Sequence, residues 1–297
     1  MASGWLRQPQ QVWLRRALFQ IHLWTGLAVG IYVVVISLTG SLLIYRSELR
    51  QYFDPQPRPV TVSGPRLTGD DLIAATRRVF PGRDVEVWTE PEDPALAVTM
   101  SLARDDGARD QLFFDPYTGD YLGHALPAGW RFTTWTLDLH DNLLAGETGR
   151  AVNGVGAALL LLLGLTGLVI WWPGVQGWRR SLLVDWRAGW RRMNWSLHSA
   201  LGFWTVSFIV MWGFTGVYLA FPDPFAAFVD LVEPYDEEFN PRTGDLVLYW
   251  LAYLHFGRFG GWSTKLIWAV IGLIPPAMFV TGALMWWNRV LRPRRTA

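Results

Sequence analysis

Four apolar runs, residues 17–45, 151–172, 199–221 and 266–287, dominate the chain. Each reaches the roughly 20 residues that a helix needs to cross ~30 Å of hydrocarbon. Lipid offers backbone N–H and C=O groups no partner, so runs of this length must satisfy one another by coiling into helices. Four transmembrane helices are the expectation. Composition agrees, with 51% of residues hydrophobic and 17% charged, against about 25% charged in soluble domains. The first run is too long for a cleavable signal peptide, and no small-residue cleavage site follows it. The chain has no cysteine, which excludes disulfides, iron–sulfur clusters and thiolate metal sites. A net charge of +1 gives no reason to expect a nucleic-acid partner.

The charges are sorted by side. Arg7, Arg15 and Arg16 precede the first span, and Arg289, Arg292, Arg294 and Arg295 follow the last. The middle connection carries Arg179, Arg180, Arg187, Arg191 and Arg192 against Asp185 alone. The positive-inside rule therefore places both termini and the middle connection in the cytoplasm. Residues 222–262 carry seven acidic residues and two arginines and belong outside.

The long segment after the first span is polar enough to fold in water. Pro55, Pro57 and Pro59 make a stiff leader. Thr68 can cap a helix over 70–79 with Asp70 and Asp71 in its first turn, and Pro81-Gly82 ends it. Strand-like runs at 84–89, 95–103 and 111–114, with a turn at Asp105-Asp106-Gly107, complete a small α+β domain of about 60 residues. Next, Trp130, Trp135, Leu139, Leu143 and Leu144 suit a helix lying on the membrane surface. Gly146 and Gly149 are expected to turn the chain into the bilayer. Residues 246–265 are the counterpart before the fourth span, with Gly257, Gly260 and Gly261 at the bend. The expected division is 1–45 (first span), 46–129 (outside domain), 130–172 (surface helix and second span), 173–197 (cytoplasmic loop), 198–221 (third span), 222–263 (outside loop and surface helix) and 264–297 (fourth span and tail).

The two halves match. RRALFQIHLWTGLAVG (15–30) and RRMNWSLHSALGFWTV (191–206) both read Arg-Arg, five residues, His, three residues, Gly. Twelve residues further on, each reaches a Thr-Gly pair, Thr39-Gly40 and Thr215-Gly216. Trp135 and Trp250 each stand five residues before a histidine, His140 and His255. Gly167 and Gly282 lie 27 residues beyond those histidines, the pairs Trp171-Trp172 and Trp286-Trp287 at 31 and 32, and Arg150 and Lys265 at ten. A repeat fixes how its units are related in space. Halves of the same topology imply a pseudo-twofold along the membrane normal, so His22 faces His198 near the cytoplasmic side and His140 faces His255 outside. The fifth histidine, His124, has no such context and reads as a surface residue.

An ionisable group within a span is a functional-site hypothesis. Two histidine pairs at opposite faces of a four-helix bundle suggest two haems, each with two axial imidazoles. Gly26 and Gly202, one turn past the cytoplasmic histidines, leave room for a porphyrin, and Gly30, Ser37 and Gly40 continue that face. Arg16 and Arg192 could neutralise propionates on the cytoplasmic side; Arg150, Arg258 and Lys265 could do so outside. Plainer readings stand beside these. A lone intramembrane histidine serves equally as a polar packing residue, and small-residue faces usually mark tight helix packing. Trp171, Trp195, Trp262 and Trp286 suit interface anchors, and the arginines serve topology in any case. Matched pairs, opposite faces and a repeat together favour haem. Zinc or copper transport would favour His, Asp and Met clustered at the midplane, and the spans contain no Asp or Glu. No dinucleotide fingerprint, P-loop or Ser-His-acid spacing is present.

The motifs resemble a known family. RRALFQIHLWTGLAVG with SLTGSLL is similar to the opening helix of the PepSY-associated transmembrane proteins of bacterial inner membranes. QLFFDPYTGDYLGH resembles the end of a PepSY domain with its Asp-Pro-x-Thr-Gly turn, and HDNLLAGETGRAVNGVGAALLLLLGLTGLVIWWPG resembles the second helix with the segment leading into it. The expected fold is an all-α membrane protein of four transmembrane helices in two tandem repeats, with a small periplasmic PepSY-like α+β domain between helices 1 and 2. Similar members include inner-membrane ferric-siderophore reductases associated with ferrioxamine and pyoverdine uptake. The resemblance implies two haem b, with His22, His198, His140 and His255 as iron ligands. It also implies an inner-membrane oxidoreductase passing electrons from a cytoplasmic protein, quinol or reduced flavin to a periplasmic ferric siderophore. The alternative is a non-redox PepSY-type sensor or assembly factor whose histidines only pack. Pro275-Pro276 is expected to kink the fourth span.

Overall fold

In a computed structural model that describes residues 2–104, 109–234 and 242–290, the chain forms two compact units, Met1–Tyr45 with Asp138–Ala297, and Arg46–Leu137. In chain order the elements are α1 (Ala2–Arg7), α2 (Trp13–Leu43), α3 (Arg46–Tyr52), α4 (Gly69–Val79), β1 (Val85–Thr89), β2 (Val98–Ala103), β3 (Arg109–Phe114) and β4 (Tyr121–His124). They continue as α5 (Ala128–Asn142), α6 (Gly146–Trp171), α7 (Trp178–Ser181), α8 (Trp190–Ala220), α9 (Pro222–Val232), α10 (Thr243–Phe256), α11 (Gly261–Gly272) and α12 (Ile274–Val290). Four helical stretches are long and apolar enough to cross a membrane: α2, α6, α8 and the α11–α12 pair.

The spans overrun the apolar stretches that mark them. α8 starts at Trp190, so His198 stands inside a helix rather than at its beginning, and α6 starts at Gly146. The fourth span is broken at Leu273. Proline lacks an N–H and clashes with the carbonyl four residues back, so Pro275 and Pro276 are tolerated only in the first turn of a new helix, where α12 places them.

Small residues set the packing. A Cβ on Gly213 of α8 would lie 2.7 Å from the Leu161 backbone nitrogen of α6, and one on Gly164 would lie 2.9 Å from Val210. Lipid supplies no hydrophobic drive between helices, so close van der Waals approach of this kind is what holds α6 to α8. α2 packs on α6 and α12, and α12 on α8, closing a ring of four spans. The Tyr32 hydroxyl donates to Asn153 Oδ1 at 2.7 Å, while Asn153 Nδ2 donates to the His140 carbonyl at 2.8 Å. That chain of bonds ties α2, α6 and the end of α5 together.

The second unit is an antiparallel meander in the order β1-β2-β3-β4, with Val98 opposite Phe114 and Leu112 opposite His124. α4 covers it, burying Leu72 against Val98, Met100 and Phe114. Thr68 and Asp71 form a reciprocal capping box at the start of α4. The β3–β4 turn is set by Asp115, whose Oδ1 accepts from the Tyr117 N–H at 2.8 Å, and by Gly119 at φ +74°. β4 is an addition to the three strands expected: it is short, contains Gly123 at φ +115° and follows a bulge, so it lacks a period-two signal. His124 is exposed at that edge. The turn expected at Asp105-Asp106-Gly107 lies outside the described residues, as do Arg292, Arg294 and Arg295.

Candidate functional site

His22 on α2 and His198 on α8 line one cavity of about 1170 Å³ among the four spans. Its walls are apolar, with Gly26 and Gly202 beside the histidines and Trp171 stacked on Phe203 at 4.2 Å. Arg15, Arg191, Arg192 and Arg289 border it, and no Asp or Glu does among the described residues. Arg15 Nη2 donates to the Ile170 carbonyl, while its Nε is buried without a partner among the described residues. Arg16 borders a separate recess of about 240 Å³ together with Arg15 and Arg289. Of the two arginines to which the sequence pointed, Arg192 borders the cavity and Arg16 does not, while Arg15, Arg191 and Arg289 do.

His140 and His255 close the last turns of α5 and α10, with ring centroids 6.3 Å apart and planes at 60°. Burial lowers the pKa of both rings and keeps them neutral at pH 7; the Ile36 carbonyl and Asp141 oppose this at His140, and the nearby His140 reinforces it at His255. The chain then reverses into α6 through Leu143 (φ 52°), Leu144 (φ 60°) and Gly146 (φ 57°), and into α11 through Gly257 (φ 62°) and Gly261 (φ 66°). A left-handed backbone costs a non-glycine residue about 1–2 kcal/mol. Gly149 does not turn the chain; it lies inside α6, where a Cβ would collide with the Asn142 carbonyl. Arg150 pairs with Asp141, so its charge is already answered, and the Arg258 guanidinium sits over the Phe256 ring at 4.9 Å. Lys265 stands early in α11.

All four histidines are held the same way. His22 Nδ1 meets Thr166 Oγ1 at 3.1 Å, His140 Nδ1 meets Thr39 at 3.0 Å, His198 Nδ1 meets Thr281 at 2.8 Å and His255 Nδ1 meets Thr215 at 2.8 Å. Each threonine hydroxyl donates its proton to the carbonyl four residues back on its own helix, at 2.6 Å for Thr166, 2.8 Å for Thr39, 2.9 Å for Thr281 and 2.7 Å for Thr215. A hydroxyl so committed can only accept. Nδ1 is therefore the protonated nitrogen, and at His140 it also donates to the Ile36 carbonyl at 3.0 Å. Nε2 is left with a free lone pair, the form in which histidine binds metals.

Glycine completes three of the four cradles. A Cβ would lie 2.9 Å from His140 Cε1 at Gly40, 3.1 Å from His22 Cε1 at Gly167, and 3.4 Å from His198 Cε1 at Gly282. Gly216 instead faces the Ala157 methyl. Gly30, expected to make room beside the helix, is filled by the Phe279 ring. His22 and Thr39 on α2, and His198 and Thr215 on α8, are each 17 residues apart, which at 1.5 Å per residue separates the two histidine sites by about 25 Å along the spans.

A family profile, the PepSY-associated TM region, matches residues 19–241 and 232–289. The chain belongs to this family. A curated relative from Pseudomonas aeruginosa, described as the uncharacterized protein PA4219, is 30% identical over 115 residues, 33% of this chain and 28% of the relative. The chain thus spans less than a third of that relative's length. Within this PepSY-associated TM protein, sequence reasoning singled out the four histidines and the pairs Thr39-Gly40 and Thr215-Gly216, but gave no threonine to a histidine and passed over Thr166 and Thr281 altogether. A signal existed: within the four apolar runs, Thr-Gly occurs at 39, 166, 215 and 281.

Proposed function

We propose that the chain is an inner-membrane di-haem b protein of two tandem repeats that carries electrons from the cytoplasmic to the periplasmic side and reduces a ferric siderophore there. The observation carrying this reading is that four half-buried histidines, two toward each end of the bundle, are each held through Nδ1 by a threonine hydroxyl, which leaves Nε2 free for a metal. The residues fit the group: two imidazoles per site, glycines against three of the four rings and, at His22 and His198, a large apolar cavity with a basic border. Haem iron supplies reversible one-electron transfer when bound. His22 and His198 would hold one haem, with Arg15 and Arg192 placed to answer its propionates, and His140 and His255 would hold the other. The four spans exclude water and span ~30 Å of hydrocarbon, which suits transfer between compartments. The arginine bias supports cytoplasmic termini. Reduction weakens iron's hold on hard oxygen ligands, which would release it from the chelate.

The test is a reduced-minus-oxidised spectrum of protein purified from a haem-replete host, with haem counted per chain. Low-spin b haem at about two per chain is expected, together with siderophore reduction when a donor is supplied. Colourless protein sinks the reading and leaves a non-redox role. Haem without siderophore reduction would move the acceptor elsewhere and keep the conduit.

A further inference from the structure

We infer that Thr166, Thr281, Thr39 and Thr215 are positioning residues that select the Nδ1–H tautomer of the four histidines and set the electron donation of each ring to its metal. The inference rests on the haem reading and assigns a function to residues that packing alone would leave anonymous.

The argument is one of hydrogen-bond capacity. A threonine hydroxyl has one proton, and in all four cases that proton is spent on the carbonyl one turn back. The oxygen can then serve a histidine only as an acceptor, so the other tautomer would face a lone pair with a lone pair. Thr166, Thr215 and Thr281 are buried, Thr215 completely, so no water can substitute there, and Thr39 is half-buried. Each bond reaches from one helix to a histidine on another, and the sequence separations run from 40 to 144 residues. The Thr281 backbone is itself held by Asn194, whose Nδ2 donates to the Thr281 carbonyl at 2.9 Å. A neutral hydroxyl acceptor raises the basicity of the opposite nitrogen less than a carboxylate would, so the ring remains an imidazole. At His140 the Ile36 carbonyl is a second acceptor.

The test compares Thr281→Val, which keeps shape and removes the acceptor, with Thr281→Ser, which keeps the acceptor. The haem held by His198 is recognised as the one lost in His198→Ala. In Thr281→Val that haem should bind about 10- to 100-fold more weakly, the usual effect of removing a partner of a ligating histidine. Its midpoint potential should rise, because a less basic imidazole stabilises Fe(III) less. The other haem should be unchanged, and Thr281→Ser should restore both properties. Thr39→Val should produce the complementary pattern at the His140 haem, and it reads the inference independently if Thr281→Val fails to accumulate. Parent-like affinity and potential in folded Thr→Val variants would overturn the inference while leaving the haem reading intact. A parent that binds no haem overturns both.

Discussion

The two histidine pairs share their anchoring and differ in their walls. His22 and His198 open onto a cavity of about 1170 Å³, whereas the His140 and His255 rings stand 6.3 Å apart under the ends of α5 and α10. The same threonine contact holds every ring. The difference therefore comes from what surrounds the histidines. At the arginine-bordered end, Gly26 and Gly202 line the cavity one turn beyond each histidine. At the other end, the histidines are carried on separate helices whose backbones reverse immediately afterwards. A site built on long spans is preformed; one built on helix ends and turns depends on how those turns are held.

The strongest way to break the comparison is to remove one histidine from each pair. If each pair holds a haem as proposed, His198→Ala should lose one of the two and His255→Ala the other, read by pyridine haemochrome stoichiometry and redox spectra. Loss of both from a single substitution would mean the two ends are one cooperative site. Next come the glycines, which grade the room at each ring. Gly40→Ala presses on His140 at 2.9 Å and should cost about 1–3 kcal/mol by overpacking, with the His140 haem weakened. Gly167→Ala, at 3.1 Å from His22, should cost less. Gly282→Ala, at an ordinary 3.4 Å from His198, should be tolerated or slightly stabilising, since alanine favours a helix by about 0.5–1 kcal/mol. Equal effects in denaturant melts of all three would refute the cradle geometry.

A smaller effect is expected at the turns. Leu144→Gly should stabilise the protein by about 1 kcal/mol by relieving a left-handed leucine, and Gly257→Ala should destabilise it, because Gly257 is left-handed and lies against the Trp268 ring. A destabilised Leu144→Gly would show that the leucine side chain packs with more benefit than its backbone costs. The smallest effect is one of pH. Glu233 accepts from the Gly244 and Thr243 N–H groups at the start of α10, and those bonds hold its pKa below the usual carboxylate range. A depressed pKa contributes stability above the ordinary value near 4.3 that is lost as pH falls through the folded value. Protection of the amides at the start of α10, taken relative to their intrinsic exchange rates, should therefore fall on acidification below about pH 4, and Glu233→Gln should remove that dependence.

The sequence determined the number of spans, the sorting of arginines, the outlying α+β domain and the four histidines. Those properties are legible along the chain: a run of apolar residues has nowhere to go but a helix in lipid, and histidines recurring at matched spacings announce themselves. The tertiary structure decided which threonine meets which histidine, because Thr166 and His22 are 144 residues apart and only the packing of α2 on α6 brings them together. It also decided that the Phe279 ring packs onto Gly30, that Arg15 and Arg192 both border the cavity, and that Arg150 is spent on Asp141. Composition cannot distinguish these fates, since a glycine face invites a cofactor or another helix equally. The choice between them belongs to the neighbours, and neighbours are a property of the fold.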